Sequence, residues 1–195
     1  MKPNVPMVPR TAKFGTIAYL APSEVKLLCD TVQEERNGTR NALLIKTLFQ
    51  GSLRISECLS LTPAHLQRFD GRQPVLEIIG KRSKRRVVAV PQRLVDQLKA
   101  FAFEKKLGLH DRFFKINRSQ AWRVITKAAK KTGFTKRVHP HLFRHSGSIE
   151  RLKQTGNPKS LQMFLGHSSP QMTLKYLSTL SSEDSIAIEG QVEFE

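Results

Sequence analysis

Cysteines and long apolar runs are scarce in this sequence, and both absences exclude classes of protein. The two cysteines, Cys29 and Cys58, lie far apart and outside any Cys-x-x-Cys spacing. The sequence therefore predicts neither a disulfide framework nor a zinc site. Nowhere does it approach the roughly 18 consecutive apolar residues of a membrane span, and its N-terminus has no signal-like apolar run. These features predict a soluble protein of the reducing cytoplasm.

Acidic residues are also few. The chain carries 33 Lys and Arg against 16 Asp and Glu, a formal net charge of +17. Five of the acids lie in residues 182–195, where no basic residue balances them. The rest of the chain is therefore even more basic, which predicts a nucleic-acid partner ahead of an anionic membrane surface or simple solubility. A cationic loop that can meet the closely spaced phosphates of DNA contains Arg82, Lys84, Arg85 and Arg86.

Hydrophobic periodicity predicts a mainly α fold with a small antiparallel β-sheet, which is an α+β class. Apolar β-type runs at residues 75–79 and 87–90 flank the cationic loop and predict a hairpin. Gly51 is expected to end the second helix in a left-handed conformation. Helices are expected at residues 23–33, 39–50, 55–59, 91–105, 119–131, 141–154, 158–165 and 170–177, with a further one starting at Thr62.

Three segments are expected along the chain. Residues 1–20 contain three prolines and little periodicity, which predicts an extended arm. Residues 21–181 form the single folded domain, and residues 182–195 form an acidic tail. The tail is expected either to be disordered or to use the apolar strip of Ile186, Ile188, Val192 and Phe194 for docking.

Phosphate chemistry without a metal fits the polar residues best. No loop of the form G-x-x-x-x-G-K-[ST] occurs, and the acids of the body are scattered rather than clustered. Breaking a phosphodiester then requires a nucleophile, cations for the non-bridging oxygens and a proton for the leaving oxygen. The sequence therefore predicts no metal and no cofactor.

Five short motifs supply such groups in order along the chain. They are Gly51-Ser-Leu-Arg-Ile-Ser-Glu57, a lysine in the hairpin loop, Pro140-His-Leu-Phe-Arg-His145, Leu165-Gly-His167 and a tyrosine nine residues further on. Each alone is typical of a surface charge, a helix-start polar residue, a glycine turn or a core aromatic. Together, their order and spacing set them apart from chance.

This combination resembles the tyrosine recombinases, the phage-integrase type of site-specific recombinase. The resemblance runs from about Leu20 to Leu180 and includes every motif of the family signature. The family's usual N-terminal core-binding domain is not represented, which indicates either a fragment or a short member such as the inversion-type recombinases. The resemblance implies that the chain has the fold of a tyrosine recombinase catalytic domain.

The resemblance also implies a role for each residue. Tyr176 would attack the scissile phosphorus, forming a 3′-phosphotyrosine and releasing a 5′-hydroxyl. Arg54 and Arg144 would bind the non-bridging oxygens through guanidinium forks. Lys81 would give a proton to the leaving oxygen.

The remaining motif residues would support this chemistry. His141 would assist proton transfer at the tyrosine, and His167 would hydrogen-bond the phosphate. Glu57, one helical turn after Arg54, would orient that arginine and support the site from behind, and His145 would be structural.

Partners follow from the same resemblance. It implies double-stranded DNA as substrate, self-association into a tetrameric synapse on DNA, and an accessory DNA-bending or directionality protein, in a cytoplasmic protein at the nucleoid. The tail would dock on a neighbouring protomer. Two alternatives stay open: a helix-turn-helix regulator built on Pro158 to Leu177, without catalysis, and an enzyme similar to type IB topoisomerases or telomere resolvases.

Overall fold

The computed structural model describes residues 18–80 and 85–191. Most of the predicted arm, the tip of the hairpin loop and the last four residues lie outside these ranges. Within them, the predicted class is confirmed: helices surround a three-stranded antiparallel sheet. The helices are α1 (Pro22–Gln33), α2 (Gly38–Gln50), α3 (Ile55–Leu59), α4 (Gln92–Glu104), α5 (Arg118–Lys131), α6 (Pro140–Thr155), α7 (Pro158–Leu165), α8 (Gln171–Leu174) and α9 (Ser182–Glu189).

The sheet has the order β1-β2-β3, with β1 at Leu66–Phe69, β2 at Gln73–Ile79 and β3 at Arg85–Ala89. The predicted hairpin is confirmed as the β2–β3 pair, in which Ile78 lies opposite Arg86. Strand β1 was not predicted, because its residues are mostly exposed and lack an alternating apolar pattern. Single 3-10 turns at Pro63–His65 and Leu177–Thr179 replace predicted helical residues.

Helices α2 and α6 cross with almost no space between them. A Cβ atom built on Gly147 of α6 would lie 2.0 Å from the carbonyl oxygen of Phe49. Only glycine permits this approach. The crossing places Arg144, one helical turn earlier on α6, beside the corner that joins α2 to α3.

The backbone of that corner differs from the prediction. Gly51 has a right-handed φ of −88°, whereas the buried Ser52 has φ +46°. The expectation of a left-handed Gly51 was therefore wrong. Glycine is needed there for a different reason, because a Cβ would lie 2.9 Å from the carbonyl oxygen of Thr47.

Both ends of the described chain are more ordered than predicted. Leu20, assigned to the arm, belongs to the core, and its backbone N–H donates to Ser146 Oγ at 2.8 Å. The start of the tail forms α9, which lies on α6 through an ion pair of 2.8 Å between Lys153 and Asp184. No helix of the described ranges is long and apolar enough to cross a membrane.

Candidate active site

Glu57 lies at the centre of a cluster of arginines and is only 5% exposed. Its Oε1 accepts hydrogen bonds from Arg54 Nη1 at 2.8 Å and Arg86 Nη1 at 2.9 Å. Its Oε2 accepts from the Arg54 backbone N–H at 2.8 Å and Arg86 Nη2 at 2.9 Å. A carboxylate has about four acceptor positions, so these donors satisfy Glu57 completely.

The charge of Glu57 is held by these donors. Burial acts to raise the pKa of its carboxyl, but the hydrogen bonds from Arg86 and Arg54 outweigh burial and lower that pKa to about 2. Glu57 is therefore ionised throughout the neutral range.

Arg144 reaches the same cluster from α6 and is almost fully buried. Its Nη1 donates to the carbonyl oxygen of Ser52 at 2.6 Å, and its Nη2 donates to that of Leu165 at 3.2 Å. The Nη1 atom lies 3.9 Å from Glu57 Oε2. Burial first, and then the charge of Arg54, lower the Arg144 pKa to about 10, which leaves it charged at neutral pH.

His167 follows Gly166, whose φ of +65° ends α7 in a left-handed turn. Burial and the charge of Arg144 lower the His167 pKa to about 4, so the imidazole is neutral at pH 7. Its Nε2 lies 3.4 Å from Arg144 Nη2, which can only donate. The Nδ1 therefore carries the proton and donates to Thr173 Oγ1 at 2.8 Å.

His141, at the start of α6, is exposed and lies in a ladder of rings. Its imidazole is parallel to that of His139, with centroids 6.4 Å apart, and His139 stacks in turn on Trp122 at 5.8 Å. Partial burial and the charge of Arg144 lower the His141 pKa. The neutral form of His141, which can accept a proton, is thereby favoured.

Tyr176 is 3% exposed and packs into a small apolar cluster with Ile149 and Leu152. Its ring contacts the His145 imidazole. Burial raises the pKa of the Tyr176 phenol, while a hydrogen bond with Ser148 and the charge of Arg144 act to lower it. The charge of Arg144 thus acts on the phenol, although the phenol is buried.

The structure therefore brings together three of the predicted cationic or imidazole residues, Arg54, Arg144 and His167, around Glu57. Arg54 is the most accessible of them, with 46% of its side chain exposed. Lys81, Arg82 and Lys84, predicted as the proton donor and as phosphate contacts, lie outside the described residues.

The two remaining arginines of the hairpin point in different directions. Arg85 is 72% exposed and pairs with Glu77 at 3.0 Å, so it remains available at the surface. Arg86 was predicted as a phosphate contact, but its guanidinium is turned inward onto Glu57. Its place depends on the pairing of β3 with β2, which brings it to α3.

Sequence reasoning missed Thr173, whose hydroxyl pairs with His167 Nδ1, and Ser148, which acts to lower the Tyr176 pKa. Serine and threonine are common in any chain, so neither has a distinguishing signal. Lys175, whose charge acts on the nearby histidines, could have been noted from its position beside Tyr176. In the described ranges no three His, Cys, Asp or Glu side chains group closely enough to hold a metal ion.

Comparison with known proteins identifies the family of the chain. The model of the phage integrase family matches residues 18–183. The chain is 32% identical over 171 residues to tyrosine recombinase XerD of Corynebacterium glutamicum, covering 80% of this chain and 55% of the relative. It is 30% identical over 141 residues to XerD of Chlorobaculum tepidum, covering 67% of this chain and 45% of the relative. The chain thus spans about half the length of these curated relatives.

Solved structures show the same fold. The XerA recombinase superposes with a TM-score of 0.73 at 22% identity, covering 96% of this chain and 68% of that structure. The catalytic domain of bacteriophage HP1 integrase superposes with a TM-score of 0.66 at 19% identity, covering 90% of this chain and 95% of that domain. The XerH recombinase bound to its difH substrate gives a TM-score of 0.72 at 20% identity, covering 88% of this chain and 53% of that structure.

Proposed function

The chain belongs to the phage integrase family, and we propose that it is a site-specific DNA recombinase that breaks and rejoins strands through a 3′-phosphotyrosine intermediate, without metal or ATP. Residues 21–181 would be the catalytic domain. Because the chain spans about half of its curated relatives, the substrate and the assembly are part of the proposal.

The arrangement of charge around Glu57 carries this proposal. Three guanidinium groups, those of Arg54, Arg86 and Arg144, surround one buried carboxylate. The cluster therefore keeps an excess of positive charge, which a phosphodiester anion would neutralise. Within the described residues, the Nε and Nη2 atoms of Arg54 donate no hydrogen bond, so they are available to a phosphate.

The reaction would exchange the phosphodiester linkage for a phosphotyrosine linkage at the scissile phosphorus. The Tyr176 oxygen would form a bond to phosphorus as the bond to the 5′ oxygen breaks, with His141 receiving the phenol proton and Lys81 supplying one to the leaving oxygen. Arg54 and Arg144 would stabilise the charge that develops on the non-bridging oxygens. His167, whose Nε2 lies 3.4 Å from Arg144 Nη2, would help by orienting that guanidinium, and it would hydrogen-bond the phosphate itself only after Nε2 takes up a proton. The phosphotyrosine retains the energy of the broken linkage, so a 5′-hydroxyl of another strand can reverse the attack without a nucleotide cofactor.

DNA is the substrate that both charge and similarity favour. The basic body of the chain fits a polyanion, and the similar XerH structure holds its difH substrate. By analogy we propose assembly of four protomers on paired sites and help from a DNA-bending or directionality protein. Such a substrate would place the protein at the nucleoid.

The proposal is tested with a nicked DNA site that traps the cleaved state. Incubation followed by denaturing electrophoresis should yield a covalent protein–DNA adduct, formed equally in EDTA. An adduct that requires a divalent metal, or no adduct at all, would reject the proposal. The DNA fragments for this test come from the sequences that flank the gene.

The same experiment separates the regulator, and a relaxation assay on supercoiled DNA separates the topoisomerase-like enzyme. A helix-turn-helix regulator would bind DNA without an adduct, and the structure already disfavours it because α8, the second helix of that motif, has only four residues. A topoisomerase-like enzyme would form the adduct but relax supercoiled DNA that lacks any particular site. A recombinase requires the site and exchanges strands between two copies of it.

A further inference from the structure

We infer that Arg86 is a positioning residue that holds Glu57 and the end of α7, so that Arg54, Arg144 and His167 face the scissile phosphate together. The inference rests on the proposed function for its catalytic consequence. It assigns Arg86 a task that differs from that of its neighbours in the cationic loop, which are expected to contact DNA.

The contacts of Arg86 with Glu57 are the first support. The guanidinium binds both carboxylate oxygens at 2.9 Å, and its side chain is only 15% exposed. It supplies two of the four hydrogen bonds that satisfy Glu57. Such a fork fixes the rotation of the carboxylate as well as its position. The Arg54 side chain and backbone are then held by the two remaining acceptor positions.

Arg86 also contacts the end of α7. Its Nε donates to the carbonyl oxygen of Phe164 at 3.3 Å, while Arg144 donates to that of Leu165. The last carbonyls of a helix lack partners within the helix and carry its negative dipole end, so two cations there stabilise it. The next residues are Gly166 and His167. A Cβ on Gly166 would lie 3.1 Å from Arg86 Cδ, so Arg86 lies directly against the turn that aims the imidazole.

The third support is the balance of charge between Arg86, Glu57 and Arg144. Arg144 Nη1 lies 3.9 Å from Glu57 Oε2, within reach of a small movement of the carboxylate. If Arg86 were lost, two acceptor positions of a buried carboxylate would be unsatisfied, and Glu57 would turn toward Arg144. Arg86 therefore balances the charge of Glu57 and leaves the charges of Arg54 and Arg144 for the phosphate.

The test compares Arg86→Lys and Arg86→Gln with Arg151→Gln. Arg151 is a matched control because it is another half-buried arginine that contacts α7, lying over the Phe164 ring at 3.9 Å and donating to the carbonyl oxygens of Gln50 and Ala89. It has no contact with Glu57. The measured quantities are the single-turnover cleavage rate at saturating DNA, the DNA dissociation constant and the unfolding temperature.

We expect both Arg86 variants to cleave at least about tenfold more slowly, with DNA affinity within about twofold of the wild type. Lysine keeps the charge but not the fork, so Arg86→Lys should not restore the rate. Arg151→Gln should lower the unfolding temperature and change the rate much less. A rate for Arg86→Lys within about threefold of wild type, weaker DNA binding with an unchanged rate, or equal slowing by Arg151→Gln would overturn the inference.

A substrate with a methylphosphonate at the scissile position distinguishes positioning from general damage. It lacks one non-bridging charge, so it depends less on a well-placed pair of guanidinium groups. The slowing caused by Arg86→Gln should therefore shrink on this substrate. An equal slowing on both substrates would mean that Arg86 acts only through stability.

One readout does not need the reaction. In the free protein, the ring NMR signals of His167 should shift in Arg86→Gln and stay in place in Arg151→Gln. Unchanged His167 signals in Arg86→Gln would reject the positioning role. If the wild type forms no adduct while these signals shift as expected, the proposed function fails and the structural role of Arg86 stands.

Discussion

The Tyr176 ring packs against the His145 imidazole, with centroids 4.8 Å apart and planes inclined by 46°. Aromatic pairs of this geometry add stability beyond the area they bury. The contact holds the phenol inside the protein, where burial raises its pKa. In this arrangement the proposed nucleophile is closed to solvent, because Tyr176 is only 3% exposed.

Replacing Tyr176 by phenylalanine should abolish the covalent adduct while leaving DNA affinity nearly unchanged. One hydroxyl is lost from a surface that binds through many cations, so binding has little reason to weaken. The chain has one other tyrosine, Tyr19, and Tyr19→Phe is the matched control. An adduct in the Tyr176→Phe protein, or its loss in Tyr19→Phe, would contradict the assignment of the nucleophile.

Alanine at Arg54 or Arg144 should lower the cleavage rate by at least about 100-fold, which is typical when one charge-stabilising donor is removed. The two variants should differ in stability. Arg144 is 3% exposed, and its loss leaves buried carbonyls without donors, at about 1–3 kcal/mol each. Arg54→Ala removes one side-chain hydrogen bond to the buried Glu57, but Arg54 is half exposed and water can replace that donor, so this variant should unfold closer to the wild-type temperature than Arg144→Ala does. Thermal unfolding and single-turnover rates check both, and a rate within about threefold of wild type would remove that arginine from the site.

Local spacing explains how much could be predicted from the sequence. Arg54 immediately precedes α3, Arg144 lies in the second turn of α6 and His167 follows a glycine turn, so short motifs suffice to find them. The inward direction of Arg86 depends on the docking of β3 beside α3, between residues 29 positions apart. No local pattern contains that contact.

Two further differences between the predicted and the observed structure also depend on contacts between distant parts of the chain. Ser52 rather than Gly51 takes the positive φ because the close crossing of α2 and α6 determines the shape of the corner. Helix α9 was not predicted because its apolar residues, such as Ile186 and Ile188, do not fall on one helical face. It is stabilised instead by its cap at Ser181 and its contacts with α6.

Acid should destabilise the fold before the carboxylates titrate. The pKa of His145 is lowered to about 4, by burial and then by Lys175 and neighbouring histidines, whereas an unfolded histidine titrates near 6.5. Between these values the unfolded chain binds more protons, so the free energy of unfolding falls as the pH drops from about 6.5 toward about 4. Thermal unfolding at about pH 7.5 and about pH 5 should show this loss.

Phenylalanine at His145 should reduce that pH dependence. It retains an aromatic ring against Tyr176 and removes a buried Nε2 that has no hydrogen-bond partner in the described structure. Replacing the exposed His110 by glutamine is the control and should preserve the full pH effect. A pH effect of equal size in His145→Phe and the wild type would show that other groups cause it.

Lys81 remains a prediction of the sequence, and its role as proton donor has a chemical test. Lys81→Ala should slow cleavage of an ordinary phosphodiester strongly, but much less that of a substrate with a 5′-bridging sulfur, because a thiolate leaves without a proton. Lys105→Ala, at the exposed end of α4, is the control. Equal slowing by Lys81→Ala on both substrates would refute the role as general acid.

Deleting residues 182–195 should impair assembly on DNA. In the structure, α9 lies on α6 of its own chain, where Asp184 pairs with Lys153 and Ile188 lies against Gly156. Ile186 is 72% exposed, so α9 also offers an apolar contact to another protomer. The acids of the tail would meet a strongly basic neighbour favourably. Native gels on a two-site DNA should therefore show normal binding of one protomer and loss of the higher complexes.

A point variant separates the two contacts of the tail. Ile186→Lys leaves the pair between Asp184 and Lys153 in place, so α9 should stay folded on its own chain. If the exposed isoleucine contacts a neighbour, this variant should lose the higher complexes as the deletion does, with an unchanged unfolding temperature. If the tail only stabilises its own domain, the deletion should lower the unfolding temperature and Ile186→Lys should assemble normally. Unchanged assembly by both proteins would mean that the tail takes no part in contacts between protomers.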